Sequence, residues 1–372
     1  MLGVLEVAGR GSGFLRRREA SYLPSQGDVH VGERLIRQYG LRTGDEIAGS
    51  VRAPGKGKSA SLDTITAVLG KSPDILRERP EFSRLGAVHP NEQLRLEANT
   101  PGPGSSHTNR VIDLLCPLGK GQRALIVAPA KAGKTMVLQS IAQGVSANYP
   151  HAELFILLVD ERPEEVFEME AAGVGEVIAS SFDNPAQQHV AVAELTLERA
   201  RRRVEMGGDV VLIVDSLTRL ARAYNTVEKG TGRTLSGGLD AQSLEKPKRF
   251  LGSARRIDPS QSEGSLTIIA TALVDTGSKM DQVIFEEFKG TGNSELVLSR
   301  ELAERRIFPA IDLVASATRR EELLLSKEAL AASTVLRQRI AGMTPINAMN
   351  DLLTDLKRYP TNEALVKALN DA

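Results

Sequence analysis

The chain has 372 residues, 41% of them apolar and 25% charged, with 47 Lys and Arg balanced by 47 Asp and Glu. This is an ordinary globular composition with material for roughly two or three domains of ~100–200 residues each. A single cysteine, Cys116, excludes an intramolecular disulfide, five scattered histidines without paired spacing argue against a zinc site, and no run approaches the ~18 apolar residues of a membrane helix.

The N-terminus lacks the charged-then-apolar layout of a signal peptide, so a cytoplasmic protein with no membrane partner is expected. Charge is uneven along the chain. Residues 1–58 hold ten Lys and Arg against six Asp and Glu, and the remainder reverses that excess, so neutrality overall does not exclude a basic face.

In chain order, five short β-like runs come first: VLEVA, GFLRR, DVHV, EIAGSV and TITAVL. Separated by Gly-rich turns, they read as a small barrel, with ERLIRQYG as a short helix between the third and fourth. Residues 71–99, richer in charge and Pro, read as a connector, and TPGPGSSHT, Thr100 to Thr108, as a linker. Strands then alternate with helices. RALIVA leads to a helix after Lys134, ELFILLVD to one from Pro163, EVIASSF to a long one from Pro185 to Glu205, and DVVLIVD to one from Ser216. A helix near Ala241–Arg256 precedes SLTIIATALV, ELVLS follows, and the last fifty residues read as helical. Near-continuous apolar strands between helices imply a parallel sheet covered on both faces.

The run LIVAPAKAGKTMVLQ, Leu125 to Gln139, carries the first chemistry. An apolar strand, a tight loop of small residues and a helix start make a phosphate cradle, because the loop's N–H groups and the helix N-terminus favour anions. Lys134 is expected on the β- and γ-phosphates of ATP and the Thr135 hydroxyl on Mg²⁺. The pattern opens with Ala128 rather than Gly. DVVLIVD ends in Asp215, placing a carboxylate beside the cradle for the metal's water shell. LLVDERPEEV puts Asp160, Glu161 and Arg162 at another strand end, with Glu161 the candidate general base. ATRREELL carries Arg319 and Arg320 far along the chain. An arginine that cannot fold back on its own cradle serves a neighbouring subunit.

The stretches GKGQRALIVAPAKAGKT, VDERPEEV, DSLTRLARAYNT, GGLDAQSLEKPKRF, SLTIIATALVDTGSKMD, EEFKGTGN and RRIFPAID together closely resemble the bacterial transcription termination factor Rho family of RNA-dependent ATPases and helicases. The resemblance runs almost continuously from Val111 to Arg320 and is weaker over the first hundred residues. The family's cradle also has Ala-Pro before Lys-Ala-Gly-Lys-Thr. The resemblance implies a P-loop, RecA-like α/β ATPase domain with a mostly parallel sheet over 111–372. A connector over 71–110 and a five-stranded barrel of the OB or cold-shock type over 1–70 precede it. It implies a homohexameric ring with ATP at subunit interfaces and single-stranded nascent RNA through the centre, driven 5′ to 3′, with the transcription machinery as partner.

The same resemblance places Gly119, Lys120, Gly121, Gln122, Arg123, Ala124, Lys131, Ala132, Gly133, Lys134, Thr135, Met136 and Arg162 at the nucleotide, with Phe308 stacked on the adenine. It makes Glu161 the catalytic base, Asp215 the metal-side carboxylate and Arg319 the finger given in trans. Two loops would line the pore: TLSGG (Thr234, Leu235, Ser236, Gly237, Gly238) and TGSK, whose Lys279 would touch RNA phosphate. In the barrel it implies RNA contacts from Gly11, Ser12, Gly13, Phe14, Leu15 and Arg16, from Asp28, Val29 and His30, and from Lys58, Ser59 and Ala60.

The barrel departs from the family where bases would stack. Phe14 and Arg16 match, but Ser12 stands where an aromatic is expected, and His30 and Ala60 stand where Tyr is usual. Stacking contributes ~1–3 kcal/mol per base, so weaker affinity and a relaxed pyrimidine preference are expected. Arg17, Arg18, Lys56 and Lys58 would shift the balance towards phosphate contacts. Many family members carry a small helical segment ahead of the barrel, whereas this sequence opens at the barrel. Two other readings are a related P-loop motor on a different polymer, recombinase-like or rotary-ATPase-like, and an RNA-coating barrel with a vestigial ATPase. TGSKMD, TLSGG and the barrel argue against the first, and intact Lys134, Thr135, Glu161, Asp215 and Arg319 against the second.

Overall fold

The structure is a computed structural model, described for residues 2–9, 11–53, 59–98, 107–228, 237–240 and 242–371. Five strands, β1 (Leu2–Val7), β2 (Gly13–Arg16), β3 (Val29–Val31), β4 (Glu46–Arg52) and β5 (Ser61–Val68), close into a barrel in the order β1-β2-β3-β5-β4. Alternation decides its inside. Leu5, Leu15, Val29, Val31, Ile47 and Leu62 turn inward, and helix α1 (Glu33–Tyr39) adds Ile36. Gly40, left-handed at φ 62°, ends that helix as a C-terminal glycine does.

The stretch 71–98 is more than a connector. Strand β6 (Ala87–Val88) pairs with β11 (Arg255–Ile257), and Leu94 and Leu96 are buried in the core of the larger domain. The sequence reading ran one helix through to Arg256. The helix, α7 (Glu245–Gly252), in fact ends at Gly252, and the chain turns extended to give β11. Of the linker expected over Thr100 to Thr108, residues 100–106 lie outside the described set, and His107 and Thr108 are not linker but open helix α2 (His107–Leu115), buried against α3 (Lys134–Asn148).

Among the described residues the main sheet has nine strands. Its central path is β14 (Ala317–Thr318), β13 (Ser294–Val297), β7 (Arg123–Pro129), β12 (Ser265–Val274), β10 (Asp209–Asp215), β8 (Glu153–Glu161) and β9 (Glu176–Ser181). From β13 to β9 all pairings are parallel. Their apolar runs are buried on both faces between two large clusters, as a sheet with helices on each side requires. The helices are α3, α4 (Pro163–Ala171), α5 (Ala186–Glu205), α6 (Leu217–Val227), α7 (Glu245–Gly252), α8 (Lys279–Lys289), α9 (Arg300–Glu304), α10 (Lys327–Ile340), α11 (Pro345–Arg358) and α12 (Asn362–Asn370). Side chains of Ser216, Ser278, Ser326, Thr344 and Thr361 cap the starts of α6, α8, α10, α11 and α12.

Barrel and main domain are joined through α5 by ionic groups taken out of water. Arg79 donates to both carboxylate oxygens of Asp45 and lies 3.5 Å from Glu205, with all three side chains fully buried. Arg42 reaches Glu205 at 3.1 Å, and Arg199 joins Glu46 of the barrel to Glu176 of β9. Removing one member of such a buried pair strands the other, at roughly 3–5 kcal/mol. Asp45→Ala is therefore expected to lower unfolding free energy by about that much in urea titration. A change under ~0.5 kcal/mol would mean that water replaces the pair at no cost.

Candidate functional site

Parallel topology aligns the carboxyl ends of β7, β10 and β8 on one edge, and there the sequence-distant groups meet. Lys134, at the first position of α3, places Nζ 2.9 Å from Glu161 Oε1 and 2.8 Å from Asp215 Oδ1. Thr271 of the intervening β12 donates to Asp215 Oδ1 at 2.7 Å and fixes its rotamer. Glu161 is 1% exposed, and its Oε2 is buried without a hydrogen-bond partner. Burial, and then the neighbouring Asp215 charge, push its carboxyl up to about 7. Burial works against the Lys134 charge, but Asp215 and Glu161 outweigh it and hold the ammonium above its ordinary value.

Around the cradle Gly133 is left-handed at φ 84°, and a Cβ there would lie 3.5 Å from the Phe308 ring, so Phe308 sits against the loop. Ala132 is buried, Lys131 and Met136 are exposed, and Thr135 is half-buried. Arg162 is exposed as the N-cap of α4.

Gly119 to Ala124 do not join this group. They lie at the amino end of β7, where Gly121 N–H donates to Thr267 and Lys120 pairs with Glu92 and Asp209. From Arg123 to Pro129 the strand spans about 20 Å at ~3.3 Å per residue, so the run is separated from its own cradle. Arg319 shares that opposite edge. It follows β14, its N–H donates to Asn293 O at 2.9 Å, and its charge, after burial, helps hold the Arg123 guanidinium below its ordinary value.

Sequence reasoning passed over Arg219. It donates to the Asp160 carbonyl and lies 3.4 Å from the Asp160 carboxylate and 3.5 Å from Glu161 Oε1. Its signal was its place four residues beyond Asp215, one helical turn past the strand end. Asp160, left-handed at φ 57°, turns the chain so that Glu161 faces Lys134.

The two expected pore segments touch. Thr234, Leu235 and Ser236 lie outside the described residues. Gly237, however, packs so closely on Lys279 and Met280 that a Cβ would come within 2.6 Å of the Met280 nitrogen. Lys279 is not in a loop but opens α8, and it is exposed. Two residues on, Asp281 pairs with Arg222 of α6 at 2.5 Å, which ties this segment to the helix that leaves Asp215.

On the barrel, Phe14 faces outward, while the Leu15 and Val29 side chains, expected among the RNA contacts, turn inward and fill the core. The Phe14 ring meets His30 edge-on with centroids 5.5 Å apart, and the Arg16 guanidinium lies 5.3 Å from the Phe14 centroid. Arg16 is already paired with Glu6 at 2.5 Å and with Asp28, itself buried and held by Ser25. The carbonyl of Ala60 accepts the His30 N–H at 2.8 Å, and Ser59 is exposed beside it. Ser12 and Gly11 are half-buried before β2 and Gly13 is buried within it. Lys56 and Lys58 lie outside the described residues.

Comparison with known proteins follows the same division. The ATP synthase alpha/beta family, nucleotide-binding domain, matches residues 108–318, and the Rho termination factor, RNA-binding domain, matches residues 1–74. The transcription termination factor Rho of Haemophilus influenzae is 52% identical over 99% of this chain and 87% of its own length. That of Cereibacter sphaeroides is 48% identical over 99% and 86%. A solved ATPase from the type III secretion system of pathogenic bacteria overlays with a TM-score of 0.63 at 24% identity, covering 88% of this chain and 93% of that one, a likeness of fold. The chain is an ATP hydrolase with a P-loop nucleotide-binding domain and an RNA-binding barrel, and it belongs to the transcription termination factor Rho family.

Proposed function

We propose that this protein terminates transcription as an RNA-stimulated, cytoplasmic motor, a homohexameric ring that binds nascent single-stranded RNA and draws it 5′ to 3′ through its centre. The observation that carries the reading is the meeting of Lys134, Glu161 and Asp215 at one sheet edge, in a chain whose barrel presents Phe14 and His30 outward.

Lys134 turns from its carboxylates to the β- and γ-phosphates, and Phe308 holds the adenine. Glu161 takes a proton from the attacking water, with Arg219 fixing its orientation. The buried Glu161 oxygen without a partner and the adjacent Asp215 carboxylate suit a divalent cation. Thr135 and Asp215 would hold Mg²⁺, which supplies charge neutralisation at the phosphate oxygens. Arg319, on the far edge of its own sheet, serves the nucleotide of the next subunit. Any nucleotide contact from Gly119 to Ala124 is likewise with a neighbour. Lys279 and the Gly237–Gly238 turn form the ring's inner lining, and α6 links them to Asp215.

At the barrel one aromatic pair replaces a fuller stacking surface, and Arg16 is shared with two carboxylates, so entry depends less on base identity. The test is steady-state ATP hydrolysis without RNA and with poly(C), poly(U) and poly(A) at two salt concentrations. Comparable stimulation by several RNAs, falling steeply with salt, is the expected result. Stimulation by poly(C) alone would show that base choice survives Ser12 and Ala60. No stimulation by any RNA would overturn the RNA-driven reading.

A further inference from the structure

Arg319 is fixed at its root and free at its head. Its side chain is exposed and makes no hydrogen bond or ion pair among the described residues. The chain turns just after it, at left-handed Arg320. The strand before it, β14, pairs with β13 through two residues only, Thr318 with Ser294 and Ala317 with Glu295. The next rung is the Arg319 N–H, which donates to the Asn293 carbonyl at 2.9 Å. Where the arginine starts from is therefore set by how Asn293 is held.

Asn293 closes the run EEFKGTGN and is held through both side chain and backbone. Its Oδ1 accepts the Gln122 Nε2–H and the Arg123 N–H, each at 2.8 Å, and its own N–H donates to the Arg123 carbonyl at 2.9 Å. Gln122 also donates, at 3.1 Å, to the Asn293 carbonyl that receives Arg319. Gln122 itself is 1% exposed, and its carbonyl accepts the Ile268 N–H of β12, so the clamp is anchored in the sheet. Its buried amide is spent on this turn rather than offered to a nucleotide. One residue earlier, Gly292 packs so closely that a Cβ would lie 3.2 Å from the Leu125 side chain. An alanine at 293 would offer no side-chain acceptor and would leave the Arg123 N–H without one.

We propose that Asn293, held by Gln122, is a positioning residue for Arg319: it locks the turn before β13 onto the start of β7 and so aims the arginine at the nucleotide of the next subunit without touching that nucleotide. This inference rests on the ring and finger reading above. A misplacement of about 1 Å at a group that stabilises a transition state can cost ~10² in rate.

The test is complementation between full-length subunits that are dissociated and reassembled in pairs. Asn293→Ala alone is expected to bind a non-hydrolysable ATP analogue as wild type does and to lose about tenfold to a hundredfold in kcat, with KM little changed. Mixed with Lys134→Ala subunits, which bring an intact Asn293 and Arg319, it is expected to regain turnover. Mixed with Arg319→Ala subunits it is expected to regain none, because every interface then lacks a well-placed arginine. A role of Asn293 in its own cradle predicts the reverse pattern. Gln122→Met, which removes the amide donor at similar volume, is expected to fall in the same group as Asn293→Ala, and it carries the test where Asn293→Ala does not assemble. Recovery with Arg319→Ala, or wild-type kcat in Asn293→Ala, would overturn the assignment. No recovery between Lys134→Ala and Arg319→Ala would instead sink the finger reading on which it rests.

Discussion

Replacing Glu161 by Gln is expected to lower kcat by about 10²–10⁴ while ATP still binds, because an amide of the same shape cannot take a proton from water. Its environment adds a second signature. Burial and Asp215 raise the Glu161 carboxyl to about 7, and only the ionised form is a base. The kcat/KM of wild type, which reports the free enzyme, should therefore rise with pH through that value and level off above it. A carboxylate at its ordinary value of ~4.3 would give a flat profile over the same range. Turnover at saturating RNA, followed from about pH 5.5 to 8.5, checks both claims. Retained kcat in Glu161→Gln would remove Glu161 as the base. A flat wild-type profile would mean that another step limits the rate.

Arg319→Ala is expected to cost about 10³–10⁵ in turnover, the range for loss of an arginine that stabilises a transferring phosphoryl group. Its position makes a sharper prediction. Lys134 follows the carboxyl end of β7, whereas Arg319 bonds to Asn293 beyond the amino end of β13, which runs parallel to β7. Own-chain contact would require crossing the length of the sheet. Head-to-tail packing brings one edge of a subunit to the opposite edge of the next. Lys134→Ala and Arg319→Ala subunits, each nearly inactive alone, should regain turnover when dissociated and reassembled together. In a random equal mixture roughly a quarter of interfaces would combine an intact Lys134 with an intact neighbouring Arg319. No recovery on mixing, with rings demonstrably reassembled, would place the action of Arg319 within its own subunit or remove it from the site.

Much of this protein is local in its sequence. Strands of the barrel alternate inward and outward with period two, and the motor strands are apolar throughout. A lysine and threonine after a glycine at a strand-to-helix junction can be read as a cradle without any neighbour, because loop and helix start are contiguous. Asp215 and Glu161 were legible for the same reason, as carboxylates closing apolar runs. The outward turn of Phe14 was not, since one residue's shift in register exchanges it with Leu15.

What contiguity cannot supply is which strand lies beside which. That order follows from burying apolar faces of the whole sheet, and it brings Lys134 to Glu161 and to Asp215 across 27 and 81 residues. The same order sets Arg319 and the run Gly119 to Ala124 on the edge away from the cradle, and it leaves the stretch 71–98 buried in the motor. Arg219 carried only a faint local mark, its place one helical turn past Asp215, and Glu165, an acid in the first turn after a proline, carried none. Only folding shows the first against Asp160 and Glu161 and the second among three carboxylates. Sequence by itself determined which chemistry the chain carries, and the tertiary structure decided which groups share a site, because proximity across a parallel sheet is a property of strand order and not of spacing along the chain.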